Sequence, residues 1–97
     1  MVTETLPFDA AEYLKDPDDQ RELLMDAFAS GDATFIKTAL GTVARARGMA
    51  SVARDSGVSR EALYKALSAG GDPRLSTLLG VIKALGLEIR ACPAGAE

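Results

Sequence analysis

The stretch Gly57-Val58-Ser59-Arg60-Glu61-Ala62-Leu63-Tyr64-Lys65-Ala66-Leu67 joins a turn residue to a helix start. Glycine accepts the positive φ of a tight turn at no steric cost. Two residues on, the Ser59 hydroxyl can cap a helix by accepting from the exposed amides of Glu61 or Ala62. Helical spacing then turns Leu63 and Leu67 inward and leaves Arg60, Glu61, Tyr64 and Lys65 outward. Such a polar face, held out from a packed body, is a reading head for nucleic acid; without a partner it is a solvated surface.

The segment before it supplies the other half of a motif. Met49 to Ser56 carries Met49, Val52 and Ala53 on one face and stops at Gly57. Two short helices separated by a turn that begins in glycine describe a helix-turn-helix, here over residues 49–68. Ala53 is small where the helices approach, Val58 plugs the turn and Leu63 anchors the second helix from below.

In the DNA-binding use of this motif the first helix crosses the phosphate backbone and the second enters the major groove. Ser59, Arg60, Glu61, Tyr64 and Lys65 are then the candidates for base contact. Arg60 can present a bidentate fork to guanine O6 and N7. Glu61 could accept from a cytosine amino group or orient Arg60, and Tyr64 offers a hydroxyl for phosphate and a ring edge for a thymine methyl. Ser51, Arg54 and Arg74 suit phosphate contact, and Lys65 shares that ability; such contacts set register without reading sequence.

Further helices flank the motif. Asp9 with Glu12 reads as a capped first helix through about Leu14, with Phe8 just ahead. Asp16-Pro17 starts a second, with Leu23, Leu24, Ala27 and Phe28 on one face and Ser30-Gly31 as its stop. Asp32 opens a third, striped by Ile36, Leu40, Val43 and Ala44 and ending near Gly48. Asp72-Pro73 begins the last, with Leu75, Leu78, Leu79, Ile82 and Leu85 at helical spacing and Gly86 as its stop. Leu87 to Cys92 then alternates apolar and polar and could form a short C-terminal strand before Pro93. One strand cannot stand alone, so its partner would be a second copy, a different protein, or nothing if the tail stays loose.

Composition narrows the function classes. The 97 residues hold three Phe, two Tyr and no Trp, so the core must be aliphatic, in one small domain. Without histidine the chain lacks the usual general base and the commonest metal ligand. No glycine-rich phosphate loop or cofactor signature stands near its acids, so neither an enzyme nor a cofactor or metal site is expected. The single cysteine, Cys92, excludes an intrachain disulfide. No membrane span or leader pattern occurs, which points to the cytoplasm.

Net charge is −3, but the chain is electrically two-ended. Through Leu40, nine acids face three bases; from Gly41 onward, eight bases face five acids. One end can meet phosphate while the other meets something basic.

From Phe8 to about Arg90 the sequence resembles the HigA-type antidote proteins of bacterial addiction modules, within the Xre/Cro-like helix-turn-helix group. The resemblance rests on Phe8-Asp9-Ala10-Ala11-Glu12-Tyr13-Leu14, on Ala44-Arg45-Ala46-Arg47-Gly48-Met49, on the opening stretch, and on Gly71-Asp72-Pro73-Arg74-Leu75-Ser76-Thr77-Leu78-Leu79. Many of those proteins carry Thr-Gln after the Gly-Met pair; here Ala50-Ser51 stand there and only Ser51 offers a hydroxyl. The resemblance implies an antitoxin that neutralises a small toxin similar to RelE or HigB and represses its own operon by binding operator DNA.

The expected architecture is therefore an all-α, compact Xre/Cro-like bundle of about five or six helices. It would span residues 8–92, with flexible ends at 1–7 and 93–97, and act on double-stranded DNA as a homodimer. A stand-alone prophage-type repressor and an interaction module that has lost DNA binding are the alternatives.

Overall fold

The computed structural model describes residues 14–95, and among them the chain is all-helical. Five helices follow one another: α1 (Pro17–Ser30), α2 (Ala33–Arg47), α3 (Met49–Ser56), α4 (Arg60–Ala66) and α5 (Leu75–Ala84). The bundle is consistent with a small domain of the helix-turn-helix type. Of the first expected helix only Leu14 lies within the described residues.

Local chemistry starts and stops these helices where the sequence places the signals. The Asp16 carboxylate accepts from the Asp18 amide at 2.9 Å, and Asp32 accepts from Thr34 at 3.0 Å. Gly31 ends α1 in the left-handed region at φ 70. Gly48 is at once the C-cap of α2 and the N-cap of α3, with φ 107 and ψ 111. Only glycine adopts that backbone without strain, so one residue suffices to turn the chain between two helices.

The core is aliphatic. Leu40, Val43, Leu63, Val81 and Leu85 are fully buried, as are the small Ala27 and Ala44. Each buried Leu or Val contributes roughly 1.5–3 kcal/mol over its exposed state. α1 packs on α2, while α3 lies against α2, α4 and most extensively α5.

α5 corrects the sequence reading in two ways. It begins at Leu75, with Arg74 as N-cap, rather than at Asp72-Pro73. Its buried face runs through Val81, Ile82 and Leu85, whereas Leu75 is 68% and Leu79 41% exposed. Gly80 selects this face: a Cβ there would lie 2.9 Å from the Ser56 carbonyl oxygen, so the helix meets the end of α3 backbone to backbone.

A second correction concerns the C-terminal segment. Leu87 to Cys92 forms no strand within the described chain. After Gly86 at φ 78 it leaves α5 and passes beside α1, where no strand among the described residues pairs with it.

Candidate nucleic-acid interface

α3, the turn Gly57–Ser59 and α4 are built from backbone closures at one end and a side-chain cap at the other. Gly57 takes φ 82, and its amide and that of Val58 both donate to the Ala53 carbonyl, at 3.0 and 3.1 Å. This pattern satisfies the last carbonyls of α3 and redirects the chain. Val58, partly buried, packs against the core beneath the turn. Ser59 is extended, and its Oγ accepts from the Ala62 amide at 3.0 Å, which starts α4. Leu63, wholly buried, and Leu67, 7% exposed, fix the underside.

The upper side of α4 carries the predicted group together. Ser59, Arg60, Glu61, Tyr64 and Lys65 are all exposed. The Arg60 guanidinium carbon lies 5.8 Å from the centre of the Tyr64 ring. An arginine so placed is drawn to the ring face, so Tyr64, one helical turn later, holds Arg60 outward. Of the two roles open to Glu61, steering Arg60 is therefore met by a different residue. Ser59 keeps its hydroxyl proton for an outside acceptor, because the cap uses only its oxygen lone pair.

The phosphate candidates fall into two places. On α3, Arg54 Nη2 donates to Ser51 Oγ at 3.3 Å, while Arg54 Nε lies 3.6 Å from Asp55 Oδ1. Ser51 and Arg54 therefore form one polar cluster, and Asp55 tempers its charge. Arg74 stands apart from it, just before α5, but shares a shallow groove of about 530 Å³ with Lys65, Gly71 and Thr77. Asp72 also lines this groove, so the positive potential there is partly offset.

Lys37, which sequence reasoning did not single out, and Gly71 shape the chain that follows α4. Lys37 on α2 donates from Nζ to the carbonyls of Ala69 and Gly71, at 3.0 and 2.6 Å. Gly71 folds so closely onto α4 that a Cβ would sit 2.3 Å from the Lys65 carbonyl oxygen. The Gly70-Gly71 pair signals a break in the chain, but nothing local announces this approach. Lys37, a base in the acidic half, is thus spent on architecture.

A second such set joins the far side of the bundle. Gln20, 3% exposed, donates to the Leu14 carbonyl at 2.6 Å and accepts from Arg47 Nε at 2.8 Å. Arg47 also donates to the Leu85 carbonyl at 3.1 Å, linking α1, α2 and the end of α5. Elsewhere, Cys92 is an exposed free thiol. Among the described residues no cluster of three or more His, Cys, Asp or Glu side chains could hold a metal ion. No described helix is long and apolar enough to cross a membrane.

Residues 4–93 match the model of a family described as "Probable addiction module antidote protein". The chain is also similar to an uncharacterised protein of Haemophilus influenzae, 41% identical over 90 residues that make up 93% of each chain. No solved structure matches it. The chain belongs to the family of probable addiction module antidote proteins.

Proposed function

We propose that this member of the antidote family is a HigA-type, Xre/Cro-like antitoxin of a type II toxin-antitoxin module. It binds the operator of its own operon through α3 and α4 and neutralises a small cognate toxin similar to RelE or HigB. The observation that carries the DNA half of this reading is the outer face of α4, where Arg60, Tyr64 and Lys65 stand exposed over a fully buried Leu63. Family membership carries the toxin half.

In this reading α3 lies across the phosphate backbone, with Ser51 and Arg54 at its surface, and the N-terminal half of α4 enters the major groove. Arg60, backed by Tyr64, reads guanine. Lys65 and Arg74, on their common groove, neutralise phosphates and set register. A single motif covers one half-site, so the protein acts as a homodimer with its recognition helices about 34 Å apart on a pseudo-palindrome. The acidic outer face of α1, with Asp18, Asp19, Glu22 and Asp26, offers a separate surface to a toxin made basic by its need to approach RNA. No catalytic step is assigned to the protein, which works in the cytoplasm.

The deciding experiment titrates purified protein against its own upstream DNA at two salt concentrations, with random DNA as competitor. Salt-sensitive binding that prefers the upstream fragment supports the reading. Equal binding to random DNA, even with the neighbouring toxin added, would refute it and leave the interaction module.

A further inference from the structure

We propose that residues 87–92 are an unpaired edge that forms an antiparallel two-stranded ladder with the same residues of a second copy, about a two-fold axis at Ile89. This rests on the homodimeric reading above and specifies its interface.

The segment alternates a partly buried Leu87 with exposed polar side chains: those of Glu88 and Arg90 are 67% and 84% exposed. Leu87 closes the end of α5 by donating from its amide to the Ile82 carbonyl at 3.0 Å. Beyond it, Arg90 Nε meets Glu88 Oε2 at 2.5 Å. Side chains two residues apart lie on the same side of an extended chain and on different sides of a helix. Glu88 and Arg90 therefore share one face, and Leu87 and Ile89 occupy the other.

That second face is apolar but incompletely covered. Leu87 and Ile89 wall a groove of about 530 Å³ with Leu24, Met25 and Phe28, which the charged Arg21, Glu88 and Arg90 also line. Ile89 remains 47% and Met25 64% exposed. Among the described residues, the backbone groups of residues 88–92 make no hydrogen bond to other backbone. Amides and carbonyls that pair with no described backbone, beside a largely apolar floor, are a template for another strand.

The charge pattern selects a second copy as that strand. In a two-fold antiparallel pair, opposite residues share a face, and three registers set these outward charges opposite one another. With the axis at Glu88, glutamate opposes glutamate; with the axis at Arg90, arginine opposes arginine. With the axis at Ile89, Glu88 of each copy opposes Arg90 of the other, and both ion pairs form at once. Like charges directly opposite destabilise a ladder and unlike charges stabilise it, so the segment is self-complementary in one register. Isologous contact of this kind is what a closed dimer requires.

The test uses the full chain and three measurements. Sedimentation at micromolar concentration, with and without operator DNA, reads the mass. Ile89→Cys in a Cys92→Ser background places two thiols at the axis, within disulfide reach, and should cross-link on mild oxidation. The native Cys92 pair would stand about 20 Å apart in this register, six residue rises, and should not.

Glu88→Arg and Arg90→Glu, both at exposed sites, should each weaken self-association on the order of tenfold. Mixed together, the basic and acidic segments should pair with each other and restore the dimer. That rescue is intermolecular and distinguishes the ladder from the Glu88–Arg90 pair within one chain. A dimer that neither cross-links at position 89 nor shows this mutual rescue overturns the ladder and leaves the dimeric reading intact. A chain that is monomeric both alone and on operator DNA overturns both.

Discussion

Replacing Arg60 with alanine should erase sequence preference while leaving the fold in place. A bidentate contact to guanine discriminates by about 1–3 kcal/mol, so the ratio of operator to random affinity should fall about 5- to 150-fold. The cost to folding is limited by what Arg60 touches. It is exposed and its guanidinium carbon lies 5.8 Å from the Tyr64 ring centre, a contact worth about 0.5–1 kcal/mol at such a site. In a domain of this size that lowers Tm by no more than about 4–8 °C, well short of unfolding at 25 °C. Tyr64→Phe keeps the ring and should keep most of the preference. Tyr64→Ala removes it and should be non-additive with Arg60→Ala, because the second loss acts through the first. Fluorescence anisotropy on operator and random duplexes, each at several salt concentrations, reads the parent protein and the four variants, the double substitution included. Lys65→Ala is the contrast: affinity should drop on both duplexes alike, and the slope of log K against log salt should shrink by about 0.9. If Arg60→Ala loses equally on operator and random DNA, or flattens the salt slope as Lys65→Ala does, Arg60 holds phosphate and the base-reading role is wrong.

Three further substitutions test the framework that presents this face. Gly71→Ala drives a methyl to 2.3 Å from the Lys65 carbonyl and should cost at least about 1–3 kcal/mol, measured by urea denaturation. DNA binding should weaken with it although no groove-facing side chain has changed. Ser59→Ala removes the cap from Ala62 and should cost about 1 kcal/mol. Ser59→Asp should keep the cap, and hence Tm, yet bind DNA less well because it brings a carboxylate to phosphate. Gln20→Ala strands the Leu14 carbonyl and Arg47 Nε at a site 3% exposed, and should destabilise by about 2–4 kcal/mol without altering operator preference.

The legible part of this protein is what short-range chemistry decides. Asp16, Asp32 and Ser59 are caps by side-chain type and position, and each makes its expected bond to an amide two or three residues on. Gly31 and Gly57 mark stops because their φ values of 70 and 82 suit few other residues. Ser59, Arg60, Glu61, Tyr64 and Lys65 could be placed outward because Leu63 and Leu67 fix the helix phase. Contacts across long sequence separations left no such mark. Gln20 reaching Arg47 and Lys37 reaching Gly71 span 27 and 34 residues, and a lone polar side chain has no periodicity to betray its partner.

α5 illustrates where periodicity itself fails. Leu75, Leu78, Leu79 and Ile82 make one apolar stripe, and Leu78, Val81, Ile82 and Leu85 make another, offset around the same helix. With apolar residues on so much of its circumference, the hydrophobic pattern assigns no single inner face. The choice falls to the one residue without a side chain: Gly80 lets the backbone of α5 close on Ser56, and every atom of a Cβ there would prevent it. Once that contact forms, Val81, Ile82 and Leu85 turn inward, and Leu75 and Leu79 are left facing water. Gly86 and Leu87, which follow α5, line one groove with α1, and the segment is exposed from Glu88 to Cys92. A Gly80→Ala protein should therefore lose stability and self-association together, whereas Glu88→Arg should lose self-association alone. If both variants change only the dimer, α5 is not held by its approach to α3.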